Sequence, residues 1–532
     1  MDQSRLKLKR RRFKISPQYI ILLVFSLIAM LIFSKSSPLY FFNDWVDSNA
    51  FFTMGKGMVH GLVPYQDLFE QKGPLLYLLH AIAYIISPTS FFGVYIIESI
   101  SLSITLFLFY KISRLYLNPN VSLLITFLTP ALLLSRNYFK FGDSAEEFAL
   151  PFLMGLLYLV FKLCKERNKI QITPMEYFIQ GILMGAVFWM KYTLIGAWII
   201  FFIFIGLYLL IKKDFSGFFK AVLYSSLGFI AISLPWLVYF GIHGAIGDMI
   251  KVYFLFNMFM YPPDITMIGK FFNSFVILFN YFKNNLLLFL GVMIGMGTVL
   301  YSDKLAKKIH LRMLLFSMFL GTSFFAFYGG KTYIYYVLIL APFALIGILS
   351  IFVILQKKTN IKMTKHHFFS YLTITFVLGL MMTFLVNDNI IYSKFFPNNV
   401  TVQLPNKDNT TPNAKVPAQV EFAEIMNNKK ENPTLLNYGN IDYGFYLEAG
   451  ITPNVRFFEV VNIPYDVYPT NLDEQNRYIK EKKVDFVVVG GDINDEVDEI
   501  GPEILHENYQ PIAVHAQQRE NRQVKYVLFE KK

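Results

Sequence analysis

Apolar blocks of roughly 17–25 residues, the length that crosses a bilayer's hydrocarbon core, recur through the first three quarters of the chain. They predict about eleven spanning helices, at about 17–34, 93–111, 121–135, 148–163, 173–189, 193–211, 219–240, 285–301, 313–328, 334–355 and 368–386. Placing the basic run Arg5–Lys14 in the cytoplasm brings Lys111–Arg114, Lys162–Lys169, Lys212-Lys213, Lys304–Arg312 and Lys357–Lys365 to the same inner side. No small-residue cleavage site follows the first block, so it is expected to stay as an anchor. Residues 46–60 and 74–87, on either side of the Lys72-Gly73-Pro74 break, read as helices lying in the interface. A span at 74–87 is the competing reading, and parity opposes it because every basic loop downstream would change sides. The stretch from Gly241 to about Lys283 is expected to be a long outer segment.

The pattern changes near Asn387. A polar Pro- and Asn-containing stretch predicts a linker over 387–430. Beyond it, 434–438, 484–490 and 523–529 are rich in β-branched and aromatic residues, as strands are, and 472–483 reads as a helix. The expected organisation is a helical membrane domain over 1–386, the linker, and a small α/β domain over 431–532 on the outer face.

Composition supports the membrane assignment: of 532 residues, 55% are hydrophobic and only 16% charged, more apolar surface than a soluble core can hide. A net charge of +12 suggests nucleic acid in a soluble chain. Here the excess sits in short loops, where it sets topology and meets lipid headgroups, so no nucleic-acid partner is expected. One cysteine, Cys164, excludes an internal disulfide.

Candidate chemistry gathers in the outer loops. Asp44 and Asp47 precede a helical register, and Glu70 and Lys72 close the same loop. Asp47 is either the N-cap of that helix or a general base, and capping alone does not separate it from Asp44. Lys72 beside the Gly-Pro break either snorkels or clamps a lipid phosphate. The second outer loop carries Arg136, Lys140, Asp143, Glu146 and Glu147. At helical spacing its acids share a face. They form an acidic first turn, bind sugar hydroxyls, or hold a divalent ion through carboxylate oxygens. Lys191 and Lys331 stand at junctions between spans, where ionisable residues are functional candidates. His60, His80 and His243 lack zinc-ligand spacing.

With these residues in place the chain resembles the GT-C superfamily of polytopic glycosyltransferases, in its protein-mannosyltransferase-like and aminoarabinose-transferase-like branch. The resemblance rests on an aspartate followed by Met58-Val-His-Gly-Leu-Val-Pro-Tyr-Gln-Asp67 and Phe69-Glu-Gln-Lys-Gly-Pro-Leu-Leu-Tyr77, with weaker matches at Gly142–Glu147 and Tyr333–Pro342. Spacing from Met58 puts Asp47 at the family's catalytic position. Two departures stand out: the common Asp-Glu pair is Asp47-Ser48, and the late histidine near the tyrosines is absent. The resemblance implies inverting transfer of a sugar from a polyprenyl-phosphate carrier to an extracytoplasmic acceptor, a glycopolymer of the cell wall or surface, a lipid or a protein. Asp47 would be the base; Lys72 with Lys191, Arg136 or Lys331 would hold the carrier phosphate; Asp143, Glu146 and Glu147, with Asp44, would face acceptor or sugar. No cofactor is expected, a divalent metal at Asp143, Glu146 and Glu147 being the alternative. The rival functions are a flippase of lipid-linked sugars, for which no inverted repeat is visible, and a non-catalytic wall-assembly protein.

Overall fold

The computed structural model describes residues 16–260, 266–356, 365–396, 416–519 and 522–532. The basic run Arg5–Lys14, most of the Lys357–Lys365 loop and the middle of the expected linker lie outside them. Every apolar block named above is helical. In order these are α1 (Pro17–Phe33), α2 (Val46–Val59), α3 (Pro74–Ile86), α4 (Phe92–Arg114), α5 (Pro119–Thr126), α6 (Pro130–Leu133), α7 (Arg136–Phe139), α8 (Ala145–Lys162), α9 (Pro174–Met190), α10 (Gly196–Ile211) and α11 (Phe215–Ile242). There follow α12 (Ile246–Met249), α13 (Met267–Asn284), α14 (Leu286–Tyr301), α15 (Ile309–Phe327), α16 (Ala341–Gln356) and α17 (Lys365–Phe384). Among the described residues six helices are long and apolar enough to cross a membrane, and up to eight if each of two bent pairs counts as one span. The protein is thus a multi-pass helical membrane protein, although the eleven expected spans include broken and shorter helices.

The breaks have local causes. Pro119 and Pro130 start helices at their first turn, where a missing N–H costs nothing, so the block expected at 121–135 splits into α5 and α6. Helix α3 has 13 residues, roughly 20 Å at about 1.5 Å per residue against a hydrocarbon core of about 30 Å. It lies against α2, as an interfacial pair should. The expected outer segment from Gly241 is itself largely helical: α12 runs into a π-helix, Ile250–Met260, and α13 meets α14 at a bend of 112°.

The C-terminal domain is a four-stranded sheet ordered β1 (Leu435–Tyr438), β2 (Phe486–Asp492), β4 (Arg522–Lys531), β3 (Tyr509–Arg519). Strands β1 and β2 are parallel, and β4 runs antiparallel to both its neighbours. The predicted strands and the helix Thr470–Lys480 are present. A further helix, Ala418–Lys429, falls in the stretch expected to be linker, yet its backbone N–H at Ala418 donates to Gln517 Oε1 at 2.8 Å. Its apolar stripe is narrow (Phe422, Ala423 and Met426 are its buried hydrophobics beyond the first residue), and the surrounding polar residues hide it.

This domain docks on the first loop of the membrane part. Phe69 N–H donates to Arg456 C=O at 2.9 Å, and the Phe69 ring packs against Phe256, Phe457 and Tyr468. The Asn389 side-chain amide ties α17's end to the carbonyls of Phe33 and Lys140, both at 2.8 Å.

Helices α9 and α11 approach backbone to backbone through reciprocal small residues. A Cβ on Gly228 would stand 2.0 Å from Phe178 C=O, and one on Gly181 2.1 Å from Ser225 C=O. Gly228→Leu is therefore expected to lower the unfolding temperature in detergent, by an overpacking cost of about 1–3 kcal/mol or more. Gly297→Leu, where a Cβ meets no atom within 4 Å, serves as the unaffected control in the same melting assay.

Candidate active site

The first loop is held in place before it does any chemistry. Asn49 donates through its amide to the carbonyls of Asn43 and Trp45, at 2.8 and 2.9 Å, fixing the entry to α2. The N-cap of that helix is Trp45, so Asp47 sits inside the first turn and does not cap it. Asp47 Oδ2 instead accepts a hydrogen bond from Tyr335 O–H at 2.7 Å, and Trp45 packs edge-on against the Tyr335 ring. Asp44, three residues earlier, accepts from Lys35 Nζ at 2.8 Å and does not line the cavity at Asp47.

The Gly61–Tyr65 motif acts through Tyr65. Tyr65, fully buried at φ 71°, donates its hydroxyl to Lys72 C=O at 2.6 Å, and Tyr77 O–H reaches the same carbonyl at 2.9 Å. Lys72 N–H donates to Glu70 Oε2 at 2.8 Å, and that carboxylate also takes the Tyr77 hydroxyl. Next, Gly73 N–H donates to Met190 C=O at 2.9 Å, setting the turn against the end of α9 beside Lys191. Burial works against the Lys72 ammonium, but Glu70, Asp47 and Glu146 outweigh it and hold its pKa above the ordinary lysine value.

Two cavities meet at Gln71 and Lys72. One, of about 60 Å³, is lined by Lys72, Lys191, Lys331, Tyr253, Asn257 and Tyr336. Here the Lys191 ammonium lies 3.3 Å from the Tyr336 ring centroid and pairs with Glu146 at 2.5 Å. The π-helix supplies Asn257, whose amide donates to Gln71 C=O at 2.7 Å. The other cavity, of about 140 Å³, is lined by Asp47, Glu70, Lys72, Lys140, Tyr333 and Tyr335. Its roof comes from the C-terminal domain, through Ile441 and Glu459–Asn462. Asn462 donates to Tyr333 O–H at 2.8 Å across that interface.

Other expected site residues lie elsewhere. Arg136 pairs with Asp388 and donates to Tyr392 O–H at 3.1 Å, lining neither cavity. The acids of the second loop are buried and none of them lines either cavity; Asp143 and Glu147 lie together beside Glu98, and Glu146 faces away from them. Asp143, at φ 66°, precedes a helix whose N-cap is Ser144, so it is out of helical register with Glu146 and Glu147. It meets His80 Nε2 at 2.9 Å, Glu146 turns to Lys191, and Glu147 accepts from the Asp143 N–H at 2.8 Å. Among the described residues no group of three or more His, Cys, Asp or Glu is disposed to hold a metal ion. Sequence reading missed Glu98, a fully buried acid in mid-α4 that accepts from Ser34 O–H at 2.7 Å. An acid within an apolar span was its available signal. Glu459 had none, since it lies in an irregular stretch of the C-terminal domain.

The architecture defines a class of multi-pass membrane protein, the one with the ArnT fold. The crystal structure of ArnT from Cupriavidus metallidurans bound to undecaprenyl phosphate matches with a TM-score of 0.57 at 8% identity, covering 96% of this chain and 97% of that one. Its apo form gives 0.55 at 9% identity, with the same coverage. The Archaeoglobus fulgidus oligosaccharyltransferase, in complex with Zn and sulfate, gives 0.45 at 15% identity, covering 88% and 67%. Within this class the chain belongs to the family of the putative competence-induced protein Ccs4, whose N-terminal-domain model matches residues 7–396. No curated protein sequence matches it.

The roof over Asp47 carries a pH dependence. Glu459 Oε2 accepts the Asp442 N–H at 2.8 Å, and burial pushes the Asp442 carboxyl up to about 7. Burial also raises Glu459, with Asp442, Glu70 and Asp47 adding to it. Unfolded, Asp442 releases its proton near 3.8, so between 3.8 and about 7 the folded domain binds more protons than the unfolded one. Stability is therefore greatest on the acid side and falls as pH rises through about 7. Thermal unfolding of the full chain in nanodiscs is expected to show this fall, and Asp442→Asn to flatten it.

Proposed function

We propose that the protein is an inverting glycosyltransferase that moves a sugar from a polyprenyl-phosphate carrier to an extracytoplasmic acceptor. One observation carries this reading: the Asp47 cavity and the lysine-lined cavity adjoin at Lys72, so a base and a phosphate-sized cluster of cations flank one point. ArnT, which shares the fold, is known bound to undecaprenyl phosphate, and this supports a carrier of the same chemical class here.

In this mechanism the acceptor hydroxyl enters the larger cavity, and Asp47 takes its proton as the oxygen attacks the anomeric carbon. The bond to the carrier breaks on the opposite face of the sugar, its electron pair leaving with the phosphate. Lys72, Lys191 and Lys331 neutralise that phosphate in a partly dry cavity, where charge stabilisation is strongest. The Tyr335 hydroxyl holds the Asp47 carboxylate in position. Glu146 fixes Lys191, which makes it part of the carrier side and not of the acceptor side. Arg136 has no part in holding the carrier. None of Asp143, Glu146 and Glu147 lines the Asp47 cavity, so transfer is proposed to need no divalent metal there.

The N-terminus is assigned to the cytoplasm, and the C-terminal domain with both cavities to the outer face, following the basic loops. The acceptor is proposed to be a cell-wall or surface glycopolymer.

The test is transfer of radiolabelled sugar from a panel of undecaprenyl-phosphate sugars by reconstituted protein supplied with cell-envelope acceptors. Asp47→Asn is expected to cut turnover about 10²–10⁴-fold, the range of a lost general base. Lys72→Met should raise the carrier KM, and EDTA should change nothing. Equal transfer by wild type and Asp47→Asn overturns the base assignment, and loss of activity in EDTA overturns metal independence.

A further inference from the structure

A third cavity, of about 560 Å³, opens at the same end of the helical bundle but on the far side of the α7 turn from Asp47. Lys140 at the end of that turn lines the Asp47 cavity, whereas Arg136, Asn137 and Tyr138 at its start line this one. Its other walls are the α13–α14 bend at Asn285–Leu288 and the chain leaving α17 at Phe384–Asp388. The function proposed above makes no use of it.

Three features specify an occupant. First, the polar floor offers both signs of charge: the Arg136 guanidinium and the Asp388 carboxylate, 35% and 51% exposed, stand side by side. An ion pair this exposed is weakly held, so a ligand carrying the complementary pair of charges can insert at little cost. Second, Asn285, only 6% exposed, has its amide committed to Tyr281 C=O at 2.8 Å, while its Oδ1 is buried with no hydrogen-bond partner. A buried acceptor of this kind calls for a donor from a ligand. Third, the rim is apolar and turned outward: Leu287 and Phe384 are each 43% exposed and Leu385 85%. In a multi-pass protein such residues at a helix end meet acyl chains.

We propose that this cavity binds the headgroup of a zwitterionic phospholipid. The phosphate lies against Arg136, the ammonium lies between Asp388 and Asn285 Oδ1, and the acyl chains run out over Leu287, Phe384 and Leu385. A purely anionic lipid satisfies Arg136 but sets its charge against Asp388 and leaves Asn285 Oδ1 unmet. The site is distinct from the lysine cavity and is filled whether or not sugar transfer occurs. Position gives it a bearing on the active site all the same. Asn285 bonds Tyr281 C=O, Tyr281 O–H donates to Tyr333 C=O at 2.6 Å, and Tyr333 lines the Asp47 cavity.

Native mass spectrometry of the full chain with dioleoylphosphatidylethanolamine, dioleoylphosphatidylglycerol or undecaprenyl phosphate tests the proposal. Wild type is expected to retain the ethanolamine lipid preferentially. Arg136→Gln and Asp388→Asn should each cut that retention about tenfold, as for the loss of one charge-assisted hydrogen bond. Asp388 is half exposed, so its variant carries the test should Arg136→Gln fail to fold. Equal retention of the two phospholipids, unchanged retention by the Asp388 variant, or displacement of the ethanolamine lipid by undecaprenyl phosphate overturns it. The last result would make the cavity part of the carrier's path.

Discussion

The seating of Gly73 on the end of α9 is the contact on which the candidate site depends. A Cβ there would stand 2.0 Å from Trp189 C=O, so only glycine lets the turn close enough for its N–H to reach Met190 C=O. That approach brings Lys72, from the first loop, beside Lys191, which follows α9. Pro74 then starts α3 without leaving an orphaned N–H. The Lys-Gly-Pro string is thus a geometric device, and its lysine is only one of three working parts.

Electrostatics divides the region into two sides. On one, lysines outnumber the acids that face them, and Glu146 pins one of those lysines in place. On the other, Asp47, Glu70 and Glu459 line one small volume, and Asp442, Glu70 and Asp47 add to the burial that raises the Glu459 carboxyl. Asp47 has the Tyr335 hydroxyl for company, while Glu459 sits deepest in the roof among Asp442, Glu70 and Asp47. The lateral cavity at Arg136 works on a different principle, with charges balanced in place and exposed.

Much of this was legible in the chain. Periodicity located the helices of the membrane domain because lipid demands long, uninterrupted apolar stretches. The family resemblance singled out Asp47, Lys72 and the segment Tyr333–Pro342 separately, and the structure brings Asp47, Lys72, Tyr333 and Tyr335 to one cavity. Local spacing read the acidic first turn at Glu146 and Glu147 but misled at Asp143, which precedes the Ser144 cap and lies outside the helix. Arg136 entered as one of the alternatives that the resemblance implied for the carrier phosphate, yet its partner Asp388 lies some 250 residues on, a separation no local pattern encodes. Glu459 was out of reach because it lies in an irregular stretch that no periodicity marks. The helix at Ala418–Lys429 was lost because its buried stripe is too narrow to stand out from polar neighbours.

The roof over Asp47 is built from Ile441 and Glu459–Asn462, whereas the floor is built from residues 45–72. Nearly four hundred positions separate floor from roof, so during synthesis the floor of the Asp47 cavity is made long before its roof. The roof is in place only with the sheet domain folded and docked, its Arg456 C=O accepting the Phe69 N–H. Completion of the far part of the polypeptide is then a precondition for a covered cavity at Asp47.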